Sequence, residues 1–323
     1  MKTTITAKTK KYPTSSKPKL DVYSMVTEQI LSQLEKGVAP WHKPWKTVKP
    51  FNFMSKKEYR GVNPMLLSGA EDPRFLTYNQ AVELGGNVKK GAKSYIVVFW
   101  APLKSKLVEV EDEKTGEKEM MIDGKSFGKF VLKYYRVFCA TDIEGIEFPP
   151  LAENNVVFNP IETAEKVWEA YKDRPSLDHG GNRAFYRPSS DAIRMPLKEV
   201  FMCTEEYYST LFHEMGHSTG HESRLSRKGI TEFDGFGSHQ YSQEELVAEM
   251  TAAFLCAHSG IENTIDNSVA YLQSWSKALK DDTKMIVYAA SQAQKASELI
   301  LGTKKEVEAN GDIEEENSEN LAA

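Results

Sequence analysis

A chain of 323 residues, 40% of them hydrophobic, is long enough for two domains that each bury a core. Its three cysteines, Cys139, Cys203 and Cys256, lie without any C-x-x-C pair, which points away from a disulfide framework or a thiolate zinc knuckle and fits a reducing, cytoplasmic setting. The net charge of −5 hides an asymmetry: residues 1–110 hold 19 Lys and Arg against 8 Asp and Glu, or +11, so the remainder carries −16. The basic part suits nucleic acid, which the acidic part would repel. No apolar run reaches membrane-spanning length, and the polar start lacks the apolar centre of a signal peptide, so no membrane partner is expected.

In chain order, residues 1–19 read as a disordered basic arm. From Asp21 the residues Val22, Met25, Val26, Ile30, Leu31 and Leu34 recur at helical spacing, and Gly37 supplies the stop. The next stretch interleaves flat aromatics with positive charge: Trp41, Lys43, Trp45, Lys46, Lys56, Tyr59 and Arg60. Unpaired bases stack on aromatic faces while Lys and Arg track phosphates, so this composition suits single-stranded DNA. Trp41 and Trp45, locked by neighbouring prolines, are equally consistent with a core. A helix from Thr77 to Leu84 ends at Gly85-Gly86, and Lys89, Lys90 and Lys93 then lead into a buried strand from Ser94 to Trp100. That Gly-Lys turn can cradle phosphate, although the P-loop spacing is missing. Residues 104–129 read as a charged hairpin or insertion, Phe130 to Cys139 as a strand, and 151–160 as a linker after a first domain of residues 20–150.

Asp21-Val22-Tyr23, Leu34-Glu35-Lys36-Gly37, Ala39-Pro40-Trp41, Tyr59-Arg60-Gly61-Val62-Asn63, Leu84-Gly85-Gly86 and Val88-Lys89-Lys90-Gly91 resemble the N-terminal domain of ArdC-type antirestriction proteins. That domain is also similar to the N-terminal part of TraC-type conjugative primases. The resemblance implies single-stranded-DNA binding, without saying which aromatics touch bases.

The second half, residues 161–303, opens with a helix from Ile161 to Tyr171. Arg183 to Tyr186 and Ala192 to Met195 read as short strands around the turn at Pro188 to Asp191, and Asp178 and His179 fall in a Gly-rich loop before them. An edge strand here can hold an extended peptide by main-chain hydrogen bonds. Then comes His213-Glu214-Met215-Gly216-His217, an H-E-x-x-H pattern. On a helix its imidazoles stand one turn apart on one face, the bite for one divalent metal, with Glu214 as general base toward a water. Thr204 is a candidate N-cap of this helix and Gly220 its C-terminal cap.

The third ligand is sought downstream. A metzincin would need His at position 223, where this chain has Ser223. Helical spacing resumes after Ser242, a candidate cap, and there Glu245 and Glu249 stand four apart on one face. One carboxylate then binds the metal while the other accepts the spare ring N–H of a ligating histidine. The pairing resembles the gluzincin pattern, so Glu245 is assigned as third ligand and Glu249 as the helper, with Glu244 the main rival. Zn²⁺ is the expected ion, with another divalent cation such as Mn²⁺ the alternative.

Ala184-Phe185-Tyr186, Asp191-Ala192-Ile193, His213 through His221, Arg224-Leu225 and Tyr241 through Glu249 resemble the zincin-like metallopeptidase domain of ArdC and of polyvalent proteins. The resemblance implies a protein or peptide substrate, a host DNA-bound or restriction protein among the candidates. Tyr241 is a candidate donor to a tetrahedral oxyanion. The expected fold class is α+β in two domains, with an acidic disordered tail from residue 304. Two rival readings stay open: a DNA-binding shield whose zincin domain is idle, and an accessory factor to conjugative priming.

Overall fold

The computed structural model describes residues 21–41, 48–102, 107–111, 118–122, 130–151, 160–232, 238–261 and 269–303. The basic arm, the acidic tail and most of the expected linker lie outside these residues. The first described helix, α1 (Val22–Leu34), starts where the Asp21 carboxylate accepts the backbone N–H groups of Tyr23 and Ser24. It stops before Gly37, whose φ of 79° is a left-handed value that a side chain resists.

Then follow β1 (Phe51–Asn52), α2 (Asn63–Leu67), β2 (Arg74–Leu76), α3 (Tyr78–Glu83), β3 (Asn87–Val88), β4 (Ser94–Pro102), β5 (Leu107–Glu111), β6 (Lys118–Ile122), β7 (Phe130–Cys139) and β8 (Ile143–Glu144). A reciprocal capping box between Thr77 and Gln80 opens α3. The main sheet has the order β1-β2-β7-β4, parallel between β1 and β2 and antiparallel elsewhere. The long β4–β7 pair alternates its two faces. Ile96, Val98 and Leu132 join the core that holds α1, whereas Tyr95, Val97, Val137 and Cys139 pack with Phe75 on the other side. At the β4 edge the Asn63 amide stands in for a missing strand, donating to the Val98 carbonyl at 2.8 Å and accepting its N–H at 2.7 Å.

The second half comprises α4 (Pro160–Ala170), β9 (Ser176–His179), β10 (Phe185–Arg187), β11 (Ala192–Met195), α5 (Thr204–Ser218), α6 (Lys228–Thr231), α7 (His239–Ser259), α8 (Val269–Asp281) and α9 (Met285–Ile300). Its sheet has the order β10-β11-β9, with β10 antiparallel and β9 parallel to β11. Asp178 and His179, expected in a loop, belong to β9, because a parallel partner far along the chain satisfies their backbone. Two expected caps also move: Ser238, not Ser242, caps α7, and Cys203 precedes α5 with Thr204 its first helical residue.

The expected α+β layout of an N-terminal half and a zincin-like half holds, but the two share part of their core. Val26, Ile30, Trp41 and Met65 of the first half share one cluster with Leu246, Met250, Trp275 and Ile286 of the second. Among the described residues, the smaller clusters around Phe75 and around Leu76 are the ones private to the first half. Polar ties reinforce the seam: Thr27 donates to the Thr283 carbonyl at 2.8 Å, and Arg60 pairs with Glu298. Full burial of one large apolar side chain is worth about 1.5–3 kcal/mol, and the share of it made across the seam would be lost if the halves parted.

Candidate metal centre

The centre is built on α5, whose buried stripe of Tyr208, Leu211, Phe212 and Met215 fixes the helix against the sheet and α7. The opposite stripe presents His213 and His217, with Nε2 atoms 3.1 Å apart and rings at 82°. The second helix, α7, comes close because Gly216 has no side chain; a Cβ there would lie 2.9 Å from Ala248 Cα. That approach delivers Glu245, whose carboxylate oxygens stand 3.5 Å from His213 Nε2 and 3.6 Å from His217 Nε2.

Three donor atoms from these residues lie within 4.8 Å of one another. Ligands about 2.0–2.2 Å from a tetrahedral ion are separated by about 3.4 Å. The separations of 3.1, 3.5 and 3.6 Å bracket that value, so the donor set fits a small divalent cation. His213 and Glu245 each keep 25% of their side-chain surface exposed, which leaves one side of the cluster open. Glu214 is buried at 7% exposure, one residue along the helix from His213. Burial favours a protonated Glu245, but the hydrogen bond from His213, the charges of both histidines and a hydrogen bond from Tyr241 bring its carboxyl down to about 2. Tyr241 is pushed up to about 12 by burial and then by the Glu245 charge.

Glu244 occupies another position. Its Oε1 faces His217 Nδ1 at 3.3 Å, on the ring edge opposite the donor cluster. Arg227 clamps both its oxygens, Nε to Oε2 at 2.8 Å and Nη2 to Oε1 at 2.6 Å, and also donates to the Gly216 carbonyl and the Thr219 hydroxyl. Burial resists the Glu244 charge, but Arg227 and His217 outweigh it and hold the carboxyl below its ordinary value. For His217 burial opposes protonation too, and the Glu244 hydrogen bond and charge reverse that into a raised pKa. Gly229 permits the clamp, since a Cβ there would meet Glu244 Cβ at 2.7 Å.

The structure thus gives Glu244 the helper position expected of Glu249. Glu249 is partly buried and accepts hydrogen bonds from Tyr271 and Trp41; burial raises its carboxyl to about 7, and the charge of nearby His213 works against that. Glu249 stands four residues after Glu245, on the same helical face, and Glu244 one residue before it, so the sequence left both open for the helper position. The crossing of the helices selects one.

The chain matches the model for the N-terminal domain of the anti-restriction factor ArdC over residues 20–138, and a zincin-like metallopeptidase model over residues 162–292. It aligns with the solved metal-free structure of the antirestriction protein ArdC from plasmid R388 at 35% identity and a TM-score of 0.64, covering 87% of this chain and 97% of that one. The Mn(II)-bound structure of the same protein gives 34% identity and a TM-score of 0.67. The chain belongs to the ArdC antirestriction family. It is also 36% identical over 293 residues to a DNA primase TraC of Escherichia coli, of which it spans only 27%. An uncharacterised protein, y4eC of Sinorhizobium fredii, is 31% identical, with 90% of this chain and 94% of that one covered.

In this ArdC-family chain the expected nucleic-acid residues fare unevenly. Trp41 is fully buried, donates from Nε1 to the Tyr271 hydroxyl at 3.2 Å and packs edge-on against Trp275. It is a core residue at the seam and cannot serve as a stacking platform. Lys43, Trp45 and Lys46 lie outside the described residues. Tyr59 is half-buried against Phe75, with its hydroxyl pushed up to about 12 by burial, and Arg60 is engaged by Glu298. Lys56 lies over the Phe53 ring. Lys89, Lys90 and Lys93 are exposed; Lys89 donates to the Thr141 carbonyl and Lys93 sits 4.8 Å above the Tyr95 ring. Among the described residues no helix is long and apolar enough to cross a membrane.

Arg227 was missed, since a lone Arg after a helix carries no pattern. Arg224 had a detectable signal in its family motif; it grips Asp191 with two nitrogens and the Ser218 carbonyl with Nε at 2.8 Å, tying the β10–β11 turn to the end of α5. Gly220, expected as a left-handed cap, lacks a positive φ and serves close packing, since a Cβ would lie 2.6 Å from Ile230 Cγ1.

Proposed function

We propose that this chain binds single-stranded DNA through its first half and hydrolyses peptide bonds at a divalent-metal centre in its second. The observation that carries the proposal is the convergence of His213, His217 and Glu245, with Glu214 buried beside them on one rigid helix. Those three side chains would hold Zn²⁺ or Mn²⁺, and when bound the cation supplies Lewis acidity toward water and the scissile carbonyl.

The protein's own groups do the rest. Glu214 takes a proton from the attacking water and returns it to the leaving amine. Arg227 and Glu244 fix the His217 ring so that Nε2 keeps its lone pair toward the cluster. Tyr241 holds Glu245 in the resting site and donates to the developing oxyanion once substrate arrives. DNA binding would concentrate the peptidase on proteins attached to the same strand.

Glu214→Gln tests the catalytic half. Peptidase activity on a casein-type substrate should fall by about 10²–10⁴-fold while metal content and oligonucleotide affinity stay at wild-type values. A second reading, a shield whose zincin domain is an idle scaffold, draws on the shared core, which gives that domain a structural task whatever its chemistry. Full protection of DNA by Glu214→Gln in a restriction challenge would favour it.

A further inference from the structure

The β9–β11 sheet has one face on α5 and one turned away. Tyr186, Ile193 and Met195 pack into the core with α5, so the alternate residues of each strand point outward. The register sets Phe185, Arg194 and Asp178 side by side there, with Arg187 beside Ala192. With Arg183 in the loop after β9, these residues line a cavity of about 430 Å³. The size suits one small ligand.

Its charge runs against the region around it. Residues 111–323 carry −16, yet three guanidinium groups gather here against the single carboxylate of Asp178. Among the described residues Arg183, Arg187 and Arg194 make no ion pair within 4.0 Å; Arg194 Nε donates to the Gly180 carbonyl at 3.1 Å. Phe185 is 37% exposed, and the Arg187 guanidinium stands 5.2 Å from its ring centre.

We propose that this cavity binds one nucleotide of a single DNA strand, its phosphate on Arg183 and Arg187 and its base against Phe185. Planar fork donors beside an exposed aromatic ring match a phosphate joined to a flat base. Asp178 favours this ligand over an acidic peptide, because a carboxylate accepts an exocyclic base amine and repels a Glu or Asp side chain. Apart from Arg183 in its loop, the charged and aromatic groups of the lining are the outward residues of the strands, and none of His213, His217 and Glu245 lines the cavity. The assignment rests on the single-strand reading above and extends it from the first half to the second.

The test uses the full chain and a labelled oligo-dT of about 20 nucleotides, with binding followed over a range of salt concentrations. Arg183→Ala/Arg187→Ala and Phe185→Ala alter exposed side chains, and thermal unfolding and metal content check that each variant folds. Each should weaken binding about tenfold at low salt. The double variant should also flatten the log–log salt slope by about 0.7, the share of the one phosphate the two guanidinium groups hold. Ultraviolet crosslinking of a bromouracil strand should mark Phe185, in wild type and in a variant lacking the first-half lysines. Wild-type oligonucleotide binding with unchanged variants and no crosslink at Phe185 overturns this site alone. Absence of binding by wild type overturns the single-strand reading with it. Loss confined to a polyglutamate peptide would assign the cavity to acidic proteins instead.

Discussion

The metal centre and the basic surface of the first half hold their charges in opposite ways. At the centre the ligands and their supports answer one another: Glu245 faces two histidines, Glu244 faces His217, and Arg227 grips Glu244. On the first half, Lys89, Lys90 and Lys93 stand exposed, and a neutral carbonyl is the partner of Lys89. Buried charge without a partner is severely penalised, so the centre is fixed as a unit; solvated lysines are cheap and individually replaceable. The contrast explains why H-E-x-x-H is a sharp sequence signal and a basic-aromatic strip a blurred one.

Several substitutions can break that contrast or sharpen it. The largest effect should follow Arg227→Ala, which leaves the Glu244 carboxylate buried and half-paired. Equilibrium denaturation should show a loss of about 3–5 kcal/mol. Metal titration should show affinity about 10–100-fold weaker, because the His217 ring loses its anchor. Unchanged metal affinity would mean that His217 is held by packing alone. Trp41→Phe comes next: it removes the donor to Tyr271 inside the seam and should cost about 1–3 kcal/mol in the same assay. Oligonucleotide affinity should stay unchanged, and a specific loss of DNA binding in a stable protein would restore Trp41 as a base platform.

Glu249 gives a pH dependence with a definite sign. Its folded pKa of about 7 lies above the unfolded value of about 4.3, so the folded state holds its proton longer. Stability therefore declines as pH rises from about 4 to 7 and is flat beyond. Glu245 acts the other way: its pKa of about 2 adds stability above the unfolded value that is lost as pH falls through about 2. Unfolding of the metal-free Glu249→Gln variant across pH should lack the decline between about 4 and 7. The smallest expected effect is Lys89→Ala/Lys90→Ala/Lys93→Ala. Thermal stability should hold, while the salt slope of oligonucleotide binding flattens by up to about 2. A large stability loss would show these lysines to be structural.

Much of the outline was legible locally. Asp21 capping α1, the Thr77–Gln80 box on α3, the alternation of β4 and β7 and the two histidines of α5 are decided by residues within a few positions of one another. The family resemblance placed both halves in sequence order. Side chains with two local interpretations were not legible. Trp41 beside Pro40 and basic residues reads equally as platform or core, and burial against Trp275, 234 positions away, settles it. β9 escaped notice because its partner β11 lies beyond a hairpin strand, and parallel pairing leaves no short-range mark.

By itself the sequence determined which groups could hold a metal: two histidines at one-turn spacing, a glutamate between them, and a choice of carboxylates downstream. Only the tertiary structure decided among those carboxylates, setting Glu245 against both Nε2 atoms, Glu244 behind His217 and Glu249 with Tyr271 and Trp41. The reason is geometric. Periodicity fixes the face of one helix, but the distance and crossing of two helices depend on contacts such as Gly216 against Ala248, which join residues that the chain keeps far apart.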